Sequence, residues 1–415
     1  MNKLYKRRDT CRLCNSKNVE LVVPLGKSPV SEKYLTKENL SDEQIRVPLD
    51  LYFCLECSHV QLLDIVEPDF LWSDFTFQTA NNPALVEHFH DLSERILSFN
   101  PINKNDLIID VGSNDGTLLR CFKQRGYRNV LGVDPADAIA EEATQKGIPT
   151  INAYMNGATA DKILKDHGKA SLVTANNVYA HVDDLAGMAN AIKTVMVEDG
   201  VLIFEVSYLL DVVEKMLIGT IFHEHLSYHS VKAMRRFLKS QGLELIHVER
   251  GPEQGGSIVG YAQFSGGPKD VKESVAKLIE LEEEHKLDKP ETIRGMYERL
   301  ESVKAEVRRL ISDLSKNGKS IAGFGAARAG TTLLSYFEIG HQIDFLVDDN
   351  KSKHYKFSPG DKIEVLPTSE IYHKRPDYLL ILAWLHADKI IQNHRRFIDE
   401  GGAFLRLFPG VNIVR

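Results

Sequence analysis

Apolar and polar positions along the chain fall into repeating blocks. Leu107 to Val111 is an apolar run rich in β-branched residues that stops at Gly112-Ser113-Asn114-Asp115-Gly116. Leu118, Leu119 and Phe122 then return at helical spacing, so the block predicts strand, glycine turn and helix. Asn129 to Val133 predicts a second strand, ending on Asp134. Ala170 to Ala175 predicts a third, running into Asn176-Asn177-Val178-Tyr179-Ala180-His181. Asp199-Gly200 turns the chain into a further buried strand, Val201 to Val206. Before this series, Leu85, Phe89, Leu92 and Ile96 sit at 3–4 spacing and predict a helix from Pro83 to Phe99.

The pattern changes twice more. Residues 268 to 317 are highly charged, with apolar positions at Val271, Val275, Leu278, Ile279, Leu300, Val303, Val307 and Leu310. They predict two long helices bridging domains, their charge a solvated face. Gly318 to Ala322 then opens a second α/β unit. Strand-turn-helix recurs around Gly323-Phe324-Gly325-Ala326-Ala327-Arg328-Ala329-Gly330, and Ile343 to Val347 leads to Asp348. Tyr378 to Ala383 ends at Trp384 and His386, both candidates for an interdomain cleft. Val60 to Phe77, rich in aromatics and acids, reads as a linker packed across a domain boundary.

Composition narrows the class. A chain of 415 residues suits two or three domains, and 43% apolar with 26% charged residues is ordinary globular usage. A net charge of −7 argues against a nucleic-acid binder relying on a positive field. No stretch approaches a membrane span, and MNKLYKRRDTC lacks the apolar core of a secretory signal, so a cytoplasmic location is expected. No obvious sticky stripe is present, which fits a monomer.

The cysteines are unevenly placed. Four of the five form two CxxC pairs, Cys11 with Cys14 and Cys54 with Cys57. In a reducing compartment such pairs predict a tetrahedral zinc site of four thiolates, with no open position for catalysis. His59 is a possible substitute ligand, better read as a surface or packing histidine. Cys121 reads as core packing.

The glycine turn predicts a cofactor site. Gly112 and Gly116 let a ligand approach the backbone, Asn114 and Asp115 line the turn, and Asp110 and Asn176 stand at strand ends. Asp134 is placed to accept ribose hydroxyls. The turn lacks GxGxxG spacing and carries an anion, which suits the sulfonium or amino group of S-adenosylmethionine better than a pyrophosphate. Phe222-His223-Glu224-His225 with Tyr228 is polar crowding that predicts a base with an orienting carboxylate. Gly255-Gly256-Ser257 reads as a backbone donor site for substrate or as a bulge.

Together these blocks resemble the bacterial sugar C-methyltransferases that act on nucleotide-linked 4-keto deoxysugars. The marks are the CxxC pairs, VGSNDGTLL (111–119), NNVYAHVDDL (176–185), HEHLSY (223–228), GGS (255–257), GFGAARAGTTLL (323–334) and LAWLHAD (382–388). The resemblance implies an α/β chain with a zinc-binding domain (1–75), a Rossmann-like domain for S-adenosylmethionine (76–265), a helical bridge (266–317) and a second Rossmann-like domain for the sugar nucleotide (318–415). It implies that His225 is the base that removes the C3 proton, that Glu224 orients or polarises it, and that Asn177 and His181 face the sugar. Gly325, Ala326 and Arg328 would hold the nucleotide diphosphate. The chain departs from the family at Phe222, where tyrosine is common, and at Phe75-Thr76-Phe77, which lacks one. Ala329 stands where lysine is common, with Arg328 next to it to supply the charge. These departures leave open an O- or N-methyltransferase or an epimerase-like relative on the same fold. The strand ending at Asp348 leaves open an NAD-dependent oxidoreductase.

Overall fold

The computed structural model describes residues 4–72, 77–408 and 410–415. Its centre is a seven-stranded sheet in the order Thr150–Asn152, Val130–Asp134, Leu107–Val111, Ala170–Asn176, Met196–Ser207, Ser257–Phe264, Leu243–Gly251. The first five strands are parallel, and Ser257–Phe264 runs antiparallel to both neighbours. Leu107–Val111 is buried throughout, as a central parallel strand should be. The chain leaves it in one direction and returns on its other side, so a crevice opens at the strands' C-terminal ends. The helix Pro83–Phe99 forms with the bounds its spacing predicts; Asn82 caps it and Pro83 starts it.

The second α/β unit is a six-stranded sheet in the order Val365–Pro367, Leu346–Asp348, Ile321–Phe324, Tyr378–Ile381, Ala403–Arg406, Asn412–Val414. Two helices join the sheets, Glu273–Glu284 and Pro290–Lys316. The longer one buries Ile293, Met296, Leu300, Val303, Val307 and Ile311 along one stripe and leaves its charges to solvent. No helix among the described residues is long and apolar enough to cross a membrane.

The N-terminal module differs from the linker reading of Val60 to Phe77. Val60–Leu62 and Asp64–Val66 are buried strands, followed by the short helix Pro68–Trp72. Asp64 is buried against Arg7, on the strand Tyr5–Arg7 that pairs with Asp64–Val66. Strands of three residues show no period of their own; Val60–Leu62 pairs with the nearby Leu51–Cys54 on one side, while the partner of Asp64–Val66 is distant in sequence. Ser227–Tyr228, just after His225, is the edge strand of the module's antiparallel sheet and pairs with Val60 and Gln61. A ladder of main-chain bonds therefore ties the zinc module to the segment that carries the candidate base. One apolar core runs through all three units, from Phe53 through Tyr228 to Phe408.

Candidate active site

The four thiolates converge. Cys11 Sγ lies 3.5 Å from Cys57 Sγ, Cys14 Sγ lies 3.5 Å from Cys54 Sγ, and all four sulfurs fall within 4.8 Å of one another. A zinc ion with Zn–S bonds of about 2.3 Å requires sulfurs roughly 3.8 Å apart, so the set fits the ion. Each pair is followed by a left-handed residue, Asn15 and Ser58, whose amide returns to Cys11 and Cys54. His59 is no ligand: it is fully buried, within hydrogen-bond distance of Ser227 Oγ (3.1 Å) and packed against His229.

The candidate base is set by a backbone carbonyl. His225 Nδ1 is 2.8 Å from Thr220 O. A carbonyl only accepts, so Nδ1 carries the hydrogen and Nε2 presents a lone pair. Burial holds the His225 pKa well below the ordinary histidine value, and His181 and Arg328 add to that. The ring is therefore neutral near pH 7. His181 follows the same logic: its Nδ1 donates to Glu224 O at 2.7 Å, and burial lowers its pKa. The two rings lie 5.0 Å apart. Phe222 packs on His225 at 4.0 Å, and the edge of Trp72 meets His181 at 5.3 Å. His223 turns away and bonds Val47 O, while burial drops His229 to about 4.

Glu224 does not orient His225. Its carboxylate is buried and accepts from Ser31 Oγ at 3.0 and 3.2 Å and from Arg328 Nε at 3.0 Å. One residue from each unit meets there. The Arg328 guanidinium lies 5.8 Å from the Phe222 ring. The turn Ile218–Thr220 that supplies the carbonyl is gripped by the second α/β unit. Thr332 Oγ1 donates to Ile221 O at 2.8 Å. A Cβ on Gly219 would lie 2.5 Å from Trp384 Nε1 and 3.0 Å from Ala329 Cβ.

The cofactor crevice is partly as expected. Gly112 adopts φ +69, and a Cβ there would meet Val178 Cγ2 at 2.4 Å. Asp134 stands at its strand end, where its oxygens accept from the amides of Asn114 and Ala136 and keep lone pairs for a diol. Asn176 has both side-chain polar atoms buried and without a partner. A buried orphan amide beside this turn fits a polar ligand such as S-adenosylmethionine.

Asp110 and Asp115 both have partners within the protein. Asp110 lies inside the sheet against Thr174 Oγ1 at 2.6 Å, and burial pushes its carboxyl up to about 7. Asp115 accepts from Thr117, Arg120 and the Ala80 amide at the start of the helix that follows the turn. Asn114 braces the turn from above, through Thr79 N and Phe77 O. Gly116 holds φ +77 against Ile148.

Other expected ligands are also occupied. The amides of Gly255 and Gly256 close their own turn onto Pro252 and Glu253, so they offer no donor site. Ser257 Oγ bonds Glu205 at 2.8 Å and Glu253 at 3.2 Å. Gly325 N donates to Val347 O, and Ala326 N donates to Asp348 Oδ2, so neither is available to a phosphate. The Asp348 carboxylate also accepts from Asn350 N. Asn177, at φ +56, donates its amide to Glu205 O. Phe75 and Thr76 lie outside the described residues.

Sequence reasoning missed a buried relay. His88 Nε2 is 2.8 Å from Glu205 and its Nδ1 is 3.1 Å from Glu253. The two carboxylates raise the His88 pKa against its desolvation. Glu205, an acid inside the apolar run Val201 to Val206, was the readable signal. Ser31 carried none.

Comparison with known proteins finds three family profiles along the chain. A zinc binding domain profile matches residues 11–72, a methyltransferase domain profile residues 85–248, and a C-methyltransferase C-terminal domain profile residues 252–409. The chain is 31% identical to C-methyltransferase NovU of Streptomyces niveus, over 100% of this chain and 99% of that one. The chain belongs to the C-methyltransferase family. As a C-methyltransferase it uses S-adenosylmethionine and carries a cysteine cluster suited to structural zinc. The NAD-dependent oxidoreductase reading falls.

Solved structures similar to this C-methyltransferase include an S-adenosylmethionine-dependent methyltransferase from Clostridium acetobutylicum. It has 14% identity and a TM-score of 0.36, covering 44% of this chain and 92% of that one. Another is magnesium protoporphyrin IX methyltransferase from Synechocystis, with 17% identity, a TM-score of 0.34, and 47% and 90% coverage.

Proposed function

We propose that the enzyme removes the proton at C3 of a nucleotide-linked 4-keto deoxysugar and methylates the resulting carbon. The observation that carries this reading is the bare Nε2 of His225, fixed by Thr220 and held neutral by burial. A carbonyl acidifies the neighbouring C–H, and a positioned neutral imidazole then has a proton it can take. The electron pair of that C–H bond becomes the carbon–carbon double bond, and the carbonyl electrons move onto oxygen. His181 offers a second bare Nε2 that accepts a sugar hydroxyl.

Asn176, Gly112 and Asp134 would hold S-adenosylmethionine. When bound, it supplies the electrophilic methyl group that the nucleophilic carbon takes. The nucleotide would lie toward the second α/β unit.

The test is solvent exchange. In deuterium oxide with S-adenosylhomocysteine, the wild type exchanges the C3 proton of a nucleotide-linked 4-keto deoxysugar, and His225→Asn does not. A wild type that binds the nucleotide sugar without exchange refutes the reading.

A further inference from the structure

We propose that Arg328 is a catalytic residue whose guanidinium takes up the negative charge developing on the carbonyl oxygen as His225 removes the neighbouring proton. The inference rests on the deprotonation described above and names the group that makes it feasible.

His225 and His181 both place their single ring hydrogen on Nδ1, against Thr220 O and Glu224 O. Each therefore presents a lone pair to the cleft, and neither donates to an oxyanion before proton transfer. Phe222, packed on the base, has no hydroxyl. A neutral imidazole deprotonates a carbon next to a ketone far faster when the oxygen is stabilised in the same step.

Arg328 is the cation set against this cluster. Its Nε is fixed by the buried Glu224 carboxylate, and its guanidinium sits near the Phe222 ring, which covers His225. Its charge reaches both imidazoles, since it contributes to lowering the pKa of each. Glu224, itself held by Ser31, leaves the pair formally neutral. A neutral pair is a poor receptor for a diphosphate, whose charges Glu224 would repel, but it suits one charge that appears only in the transition state. Because the guanidinium is already oriented, no reorganisation accompanies the step.

The electrons balance as follows. The proton passes to His225 Nε2, the C–H pair forms the carbon–carbon double bond, and the carbonyl pair rests on an oxygen bonded by guanidinium N–H. The carbonyl then reforms as the double-bond pair makes the carbon–methyl bond; the methyl–sulfur bond of the donor would break with its pair left on a neutral thioether, and the proton on His225 passes to solvent.

The experiment compares Arg328→Gln and Arg328→Lys with wild type in two assays. One is the C3 deuterium exchange at saturating nucleotide sugar. The other is calorimetric binding of the nucleoside diphosphate alone, which also reports folding. Arg328→Gln is expected to lose about 100-fold or more in exchange, the scale of one oxyanion donor, with nucleoside diphosphate affinity unchanged. Arg328→Lys recovers part of the rate. Weaker diphosphate binding with unchanged saturated exchange overturns the inference and makes Arg328 a phosphate ligand. Equal exchange in wild type and Arg328→Gln overturns it too. A wild type that binds the sugar nucleotide without exchange refutes the deprotonation itself.

Discussion

His225 donates its Nδ1 hydrogen to the carbonyl oxygen of Thr220, 2.8 Å away, and this single bond fixes Nε2 as the ring nitrogen that keeps a lone pair. Loss of the ring should therefore remove the proton transfer and little else. His225→Asn is expected to lower methyl transfer by about 10²- to 10⁴-fold while S-adenosylmethionine still binds. Rapid-quench kinetics with calorimetry on the same preparation checks both halves.

The pH dependence follows from the direction of the shift. Burial and three nearby groups, His181, Arg328 and His229, depress the His225 pKa, so its free-base form persists below the ordinary histidine value. Rate should be level through neutral pH and fall only well below pH 6.5. Arg328 is one cause of the depression, and removing a positive charge raises a neighbouring pKa. The acid limb of residual exchange in Arg328→Gln should therefore move upward. An acid limb above pH 6.5 in wild type contradicts this account.

The turn carrying Thr220 is crowded from behind. A methyl group on Gly219 would meet Trp384 Nε1 at 2.5 Å. Gly219→Ala should cost about 1–3 kcal/mol of stability through overpacking. It should also displace the Thr220 carbonyl and lower kcat more than it raises KM. Adding Trp384→Phe should restore part of both, as read by thermal melts and steady-state kinetics.

His88 stands between two carboxylates, with Glu205 fully buried. His88→Ala leaves a buried charge unpaired and should destabilise the fold by about 3–5 kcal/mol. His88→Gln keeps one donor and should lose less. Urea melts of the three proteins order them.

The four thiolates perform no step in this scheme, yet the module they fold reaches the site through Ser31, Trp72 and the Val60–Tyr228 pairing. Stripping the metal should lower the melting temperature and abolish turnover together. Metal analysis should return one zinc per chain.

Much of this was legible beforehand. The strand at Leu107–Val111, the helix Pro83–Phe99 and the CxxC pairs are local patterns, and local patterns survive folding. The partners of Glu224 are not local. Ser31 and Arg328 come from different units, so no spacing rule connects them to His225. Asp115 misled because a carboxylate at a glycine turn serves equally as a partner for the start of the next helix, and only its bonds to Thr117 and Ala80 distinguish the two. The strands Val60–Leu62 and Asp64–Val66 were hidden because each is only three residues long, too short to show a period, and Asp64–Val66 pairs with a distant segment.

The central claim is that a methyl group is placed on carbon next to a ketone by way of His225. The direct measurement incubates the enzyme with S-adenosylmethionine carrying a labelled methyl and a nucleotide-linked 4-keto deoxysugar, then locates the label by NMR. The account predicts a labelled methyl bonded to the ring carbon beside the ketone, absent with His225→Asn. A label bonded to oxygen or nitrogen, or a product without added methyl mass, would contradict it.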